Sequence, residues 1–183
     1  MAGAIKSGRF FIALWPGPRT RDAIASYRDA RAGANTPQAA PHVADDLHLT
    51  LHFIGALEPA RVAALCEALA NVHSPPFVVR LGTPALWPHG VAVLEPAAVP
   101  TALRVLHAEV AGALRAVGIP VEPRAWRPHV TLARRSRGGV LPAKTATIAW
   151  PVRGFALVAS QRVGERRYRV LQRFALTTAT ASA

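Results

Sequence analysis

Apolar residues recur along the chain at two spacings, and the switches between them lay out its elements. Residues 10–15 are apolar throughout and stop at Pro16-Gly17-Pro18, which predicts a first, interior strand. Residues 20–32 place Ile24 and Tyr27 on one side and Arg21, Asp22, Arg28 and Arg31 largely elsewhere, a helical pattern that Gly33 and Asn35 can end. A second strand is predicted over 46–54, with Gly55 turning the chain out of it. Glu58-Pro59 then opens a helix to residue 70, with Val62, Leu65, Cys66 and Leu69 on one stripe.

After Pro75-Pro76, residues 77–81 and 91–94 predict two strands joined by an irregular link rich in Gly and Pro. Residues 100–117 form the clearest amphipathic helix, with Leu103, Leu106, Val110 and Leu114 as its packing stripe and Gly118 as its stop. An extended segment, 121–128, leads to a strand opening at His129, where Pro128 biases Arg127 toward extended backbone. A basic loop over 134–139, a short apolar segment over 146–150 ended by Pro151, and a closing antiparallel pair over 155–160 and 167–176 complete the pattern. This order predicts an α+β fold with antiparallel sheets. No glycine-rich fingerprint follows the first strand, which argues against a doubly wound nucleotide-binding domain.

Two of these strands carry the same string, H-x-T-L, as His48-Leu49-Thr50-Leu51 and His129-Val130-Thr131-Leu132. Side chains alternate along a strand, so His48 and Thr50 share one face, as do His129 and Thr131. Two neighbouring strands of this kind would line a cleft with two imidazoles and two hydroxyls. Imidazole gives and takes protons near neutral pH, and a Thr hydroxyl can donate to a phosphate oxygen. Simple alternation also puts His52 on the polar face, as a substrate contact or an incidental sheet residue, and sends Phe53 with Leu49 and Leu51 into the core. His48 and His52 on a strand stand roughly 13 Å apart along its axis, too far to share one ion directly, so neither metal nor cofactor is expected. Trp126 and Arg127, just before the second motif, either border a base or ribose or pack. Arg162, Arg167, Arg169 and Arg173 are candidates to border the cleft, and the pattern does not choose among them.

Composition narrows the partners. A net charge of +12 over 183 residues favours polyanions, nucleic acid and phosphates among them. The one cysteine, Cys66, rules out a disulfide framework and a cysteine-rich zinc site, and its place on an apolar stripe predicts a buried thiol. The N-terminal segment lacks the long apolar region and cleavage pattern of a signal peptide, and no apolar run approaches the roughly 18 residues of a membrane span. A soluble, cytoplasmic, monomeric protein is expected.

HLTLHFIG at 48–55 and RPHVTLAR at 127–134, together with the opening RFFIAL, the PPFVVRLG stretch and the closing segment from Ser160 to Leu171, resemble the 2H phosphoesterase superfamily, the HxTx-motif enzymes, in its RNA 2′,3′-cyclic phosphodiesterase (2′-5′ RNA ligase) branch. The resemblance implies a single bilobal domain over residues 1–176, two antiparallel-sheet lobes with flanking helices around a central cleft, and the small, polar residues 177–183 read as a flexible tail. It implies metal-independent opening of a terminal 2′,3′-cyclic phosphate on RNA to a 2′-phosphomonoester, with 2′-5′ ligation as the reverse. On this sequence it makes His48 the general acid and His129 the general base, with Thr50, Thr131 and Arg134 on the phosphate. His52, Trp126, Arg127 and Arg162 remain candidate substrate contacts. RNA ends bearing a cyclic phosphate, such as tRNA fragments, are the expected partners. Two alternatives stand beside this reading: another small cyclic phosphate or cyclic nucleotide as substrate, and a basic RNA-binding module without turnover.

Overall fold

A computed structural model describes residues 8–32, 40–136, 147–161 and 166–177. The order is β1 (Gly8–Leu14), α1 (Pro18–Ala32), β2 (Ala40–Pro41), β3 (Leu49–Leu57), α2 (Pro59–Ala70), β4 (Phe77–Trp87), β5 (Val91–Pro96), α3 (Thr101–Ala116), β6 (Val130–Arg134), β7 (Ile148–Val152), β8 (Gly154–Ser160) and β9 (Arg169–Ala175). The fold is α+β, as the pattern of spacings predicts.

The strands form one nine-stranded sheet in the order β7-β4-β5-β6-β3-β1-β8-β9, with β2 paired to β6. All pairs are antiparallel. Two four-strand halves meet where β3 lies beside β6, and that seam is pinned by one residue pair, Leu49 opposite Val130. The helices knit the halves together, because α1 follows β1 yet packs on β6 and β7, while α3 follows β5 yet packs on β3.

Leu103, Leu106, Val110 and Leu114 of α3 are fully buried in the main core, as their spacing requires. Truncating one of them to Ala would cost about 2–5 kcal/mol. On α2, Val62, Leu65 and Leu69 are buried, while Cys66 is half-buried and burial pushes its thiol up, away from the reactive thiolate. Gly118 closes α3 at φ +67°, a left-handed conformation that suits glycine.

Four expectations need correction. The strand predicted over 46–54 starts at Leu49, because Ala44–Asp46 form a short 3-10 turn, and it continues to Leu57. Gly55 does not turn the chain out; at φ +79° it sits within β3 beside a bulge at Ile54. The link expected after Leu81 is strand as far as Trp87, since β4 pairs with β5 along that stretch. Pro151 does not end the apolar segment but lies inside β7, an edge strand, where the missing N–H costs no ladder bond.

The third of the nine residues of β3 changes the site. β1 pairs Ala13 with Thr50 and Ile12 with His52, so Leu51 is an extra residue and the alternation flips there. Thr50 and Phe53 now share a face with Ala13 and Phe11, part of a small second cluster, while His52 joins Ile12 on the main-core side. Phe53 is therefore 60% exposed rather than core. The basic loop beyond Ser136, the turn around Gly164-Glu165 and residues 178–183 of the expected tail lie outside the described residues, as does Arg162. Among the described residues no helix is long and apolar enough to cross a membrane.

Candidate active site

The seam between β3 and β6 builds the site. Leu49 opposite Val130 fixes an antiparallel register in which His48 flanks the pair beside Thr131 and Thr50 flanks it beside His129. Leu49 and Val130 point into the core at zero exposure, so the four polar side chains share the opposite face. Each histidine sits one residue before its strand, and each is turned by the same backbone device. His48 Nδ1 donates to the Asp46 carbonyl at 2.6 Å, and His129 Nδ1 donates to the Arg127 carbonyl at 2.9 Å. A carbonyl only accepts, so Nδ1 carries the hydrogen in both rings and Nε2 is left free. The intervening residues match as well: Leu47 adopts φ −68°, ψ 122°, values open to a proline, and Pro128 takes that place in the second motif.

The walls around the two rings differ. His48 stacks on Trp15 with ring centres 5.2 Å apart and meets Phe11 and the edge of Tyr168 at 5.0 and 5.1 Å. Burial pushes its imidazole down to about 4, with the Asp46 carbonyl partly opposing, and the nearby His129 and Arg134 charges push the same way as burial. His129 meets Trp87 at 4.1 Å. Burial lowers it too, but the Glu95 carboxylate pulls it back toward the charged form. Glu95 is held firmly: it accepts from Trp87 Nε1 at 2.8 Å and from Arg127 Nε and Nη2 at 2.8 and 3.1 Å, with the guanidinium over the Trp87 ring.

The Thr50 and Thr131 hydroxyls are half-exposed and have no hydrogen-bond partner among the described residues. Arg134, at the end of β6, carries no ion pair there either, and its charge reaches His42, His48, His129 and Tyr168. Two free Nε2 atoms, two free hydroxyls and an unpaired guanidinium thus converge on one patch. That arrangement can hold a phosphate and move protons on either side of it.

Beside His129 the patch opens into a cavity of about 350 Å³ lined by Thr50, Phe53, Trp87, His107 and Trp126 among others. Trp126 both packs and borders this space: its indole N–H donates to the Thr50 carbonyl at 3.0 Å and its ring stacks on His107 at 4.1 Å. His52 does not continue the face of His48. Its Nε2 is bonded to the His107 carbonyl at 2.8 Å, its ring stacks on His107 at 4.0 Å, and it borders the cavity from the α3 side. Arg127 lies at the same rim, paired with Glu95.

Trp15, Trp87, Glu95, Asp46 and Tyr168 escaped the sequence reading. One signal was present for Glu95, the lone charge in an otherwise apolar strand. Asp46 serves twice, through its carbonyl to His48 and through Oδ2, which accepts from the Arg167 N–H at 2.8 Å and so fastens the start of the last strand's approach beside the histidine. Among the described residues no three His, Cys, Asp or Glu side chains gather as a metal site.

The profile of the 2′-5′ RNA ligase superfamily matches residues 16–164. A protein of Escherichia coli (strain K12) named RNA 2′,3′-cyclic phosphodiesterase is 30% identical over 173 residues, 92% of this chain and 97% of that one. Another of that name from Geobacillus stearothermophilus is 32% identical over 145 residues, 73% of this chain but only 44% of its own length, so the chain spans under half of that relative. The crystal structure of E. coli LigT complexed with 3′-AMP has a TM-score of 0.83 at 29% identity, covering 94% of this chain and all of that one.

Proposed function

The chain belongs to the 2′-5′ RNA ligase superfamily, and from that premise we propose that it is an RNA 2′,3′-cyclic phosphodiesterase that opens a terminal cyclic phosphate to a 2′-phosphomonoester. The observation that carries this reading is the pair of histidines across the seam, each with Nδ1 tied to the carbonyl two residues back and Nε2 free.

The cyclic phosphate sits on the shared patch. Thr50, Thr131 and Arg134 donate to its nonbridging oxygens, and the charge that builds there in the transition state is what these groups stabilise. In the division of labour implied by the family resemblance, His129 Nε2 takes a proton from water, the water oxygen attacks phosphorus, the P–O3′ bond breaks, and His48 Nε2–H protonates O3′. A 2′-phosphate and a free 3′-hydroxyl result. With the 5′-hydroxyl of a second RNA in place of water, the same steps form a P–O5′ bond, break P–O3′ and give a 2′-5′ linkage.

One observation favours the opposite division. In the free protein both imidazoles are lowered, yet only His129 has a carboxylate, Glu95, that favours its charged form. For His48 to act as the acid, the anionic phosphate must raise it on binding. A substrate with sulfur in place of O3′ separates the two: a thiolate leaves without protonation, so loss of the acid histidine is rescued and loss of the base is not.

The terminal nucleobase fits the cavity beside His129, between the exposed Phe53 ring and the Trp126 and Trp87 side. The direct test is incubation, with chelator present, with an oligoribonucleotide bearing a 2′,3′-cyclic terminus and assignment of the product. A 2′-phosphate supports the proposal; no product, or a 3′-phosphate, overturns it.

A further inference from the structure

A second cavity, about 370 Å³, opens on the other side of the site, on the half that holds His48. Trp15 and Tyr168, two of the three rings that contact His48, form one wall of it, and Arg21, Arg166, Arg169 and Arg173 supply its positive charge against a single carboxylate, Asp45. Asp45 is shared by Arg21, at 2.9 Å, and Arg166. Arg169 and Arg173 are exposed and have no ion pair or hydrogen bond among the described residues.

The register places them on opposite faces of the edge strand β9, Arg169 opposite Ala159 and Arg173 opposite Ala156, and both border the cavity. β8 pairs Val158 with Val170 and Leu157 with Gln172, so Leu171 is an extra residue. Beyond it Arg173 stands opposite Ala156, a member of the same small cluster as Val158, and therefore returns to the face of Tyr168 and Val170. The cavity beside His129 is different. Its guanidiniums, Arg124 and Arg127, are each neutralised by a carboxylate, Glu122 and Glu95. Two cavities of nearly equal size thus flank one phosphate patch, one aromatic and charge-balanced, the other carrying three cations in excess.

Resting on the proposed activity, we infer that the arginine-lined cavity is the track for the RNA strand 5′ of the cyclic terminus, so that the substrate is an oligoribonucleotide rather than a mononucleotide. The terminal nucleotide has one neutral arm, its base, and one anionic arm, the 5′-phosphodiester chain. The base belongs in the charge-balanced cavity, and the phosphodiesters belong over Arg169 and Arg173, with Trp15 and Tyr168 offering ring surface to the next base. A basic groove with interleaved aromatic rings is the usual recognition surface for a single strand.

The test uses the double variant Arg169→Ala/Arg173→Ala, whose side chains are exposed and free of structural contacts. Binding of a fluorescent oligoribonucleotide ending in a 2′-phosphate is followed by anisotropy against salt. Removal of two phosphate contacts should reduce the slope of log affinity against log salt by about 1.4, since each contact on a single strand contributes about 0.7. The ratio of kcat/KM for an oligomer to that for the cyclic mononucleotide should fall at least about fivefold. An unchanged slope, or an unchanged ratio, overturns the inference. Oligomer binding with the expected slope change but no turnover in the wild type would overturn the proposed activity and leave the strand track standing.

Discussion

His48 and His129 are held alike, each giving Nδ1–H to the carbonyl two residues back, yet their walls differ. Phe11, Trp15 and Tyr168 enclose His48, no carboxylate side chain raises it, and burial takes it to about 4. His129 leans on Trp87, and the same ring N–H that helps hold Glu95 puts a carboxylate within reach. The shared device sets tautomer and aim, which are geometric requirements on any acid or base. The walls set proton affinity, which is where an acid must differ from a base. A near-duplicate motif can thus be specialised from outside itself.

The largest effects test the shared part. His48→Ala and His129→Ala should each lower kcat on a cyclic-terminated RNA by about 10²–10⁴-fold with circular dichroism unchanged. Retained turnover in either would break the equivalence of the two rings. Next in size, Thr50→Val and Thr131→Val should each cost about 10²-fold in kcat, because each removes one donor to the developing charge while keeping the shape of the strand. A large loss for one and none for the other would mean that phosphate rests on a single half.

The walls give smaller shifts. Glu95→Gln removes the carboxylate that, with the Arg127 carbonyl, raises His129, so the pKa of His129 moves further down. If His129 is the base, the acidic limb of the pH profile of kcat/KM moves to lower pH; if it is the acid, the alkaline limb moves. The limb that shifts assigns the role.

The smallest effect is on stability. His42, His48 and His107 are held neutral by burial, at about 3, 4 and 4 against an ordinary 6.5. Below pH 6.5 the unfolded chain takes up protons that the folded chain refuses, so stability is full above pH 6.5 and is lost as pH falls toward 4. Replacing His42, 5% exposed with its Nε2 unpartnered, by Asn should flatten the fall of Tm between pH 7 and 5 by a few degrees. An unaltered slope would show that other groups govern acid lability.

Much of this was legible along the chain. The 3.6-residue stripe of α3 and the apolar run of β1 are local signals, and they place the core. The pairing of His48 with Thr50 and of His129 with Thr131 follows from alternation over three residues, too short a stretch for an error to accumulate. Phe53 shows where that logic stops. One extra residue at Leu51 reverses the faces as far as the second bulge at Ile54, and no local residue type announces it, since Leu51 is as apolar as a regular strand position demands. Arg173 is brought to its cavity by the same kind of event at Leu171. Trp15, Trp87, Glu95 and Tyr168 could not be linked to the histidines in advance, because each comes from a strand or approach segment remote in sequence.

The amino-acid order by itself determined the elements, the stripes they bury and the two acid–base motifs, all of which depend on neighbours within a few residues. Only the tertiary structure decided that β3 meets β6 at Leu49 and Val130, which ring has a carboxylate, and which of two cavities keeps its positive charge. Those outcomes depend on strand registry and on charges brought together from distant parts of the chain, and a one-residue bulge is enough to change them.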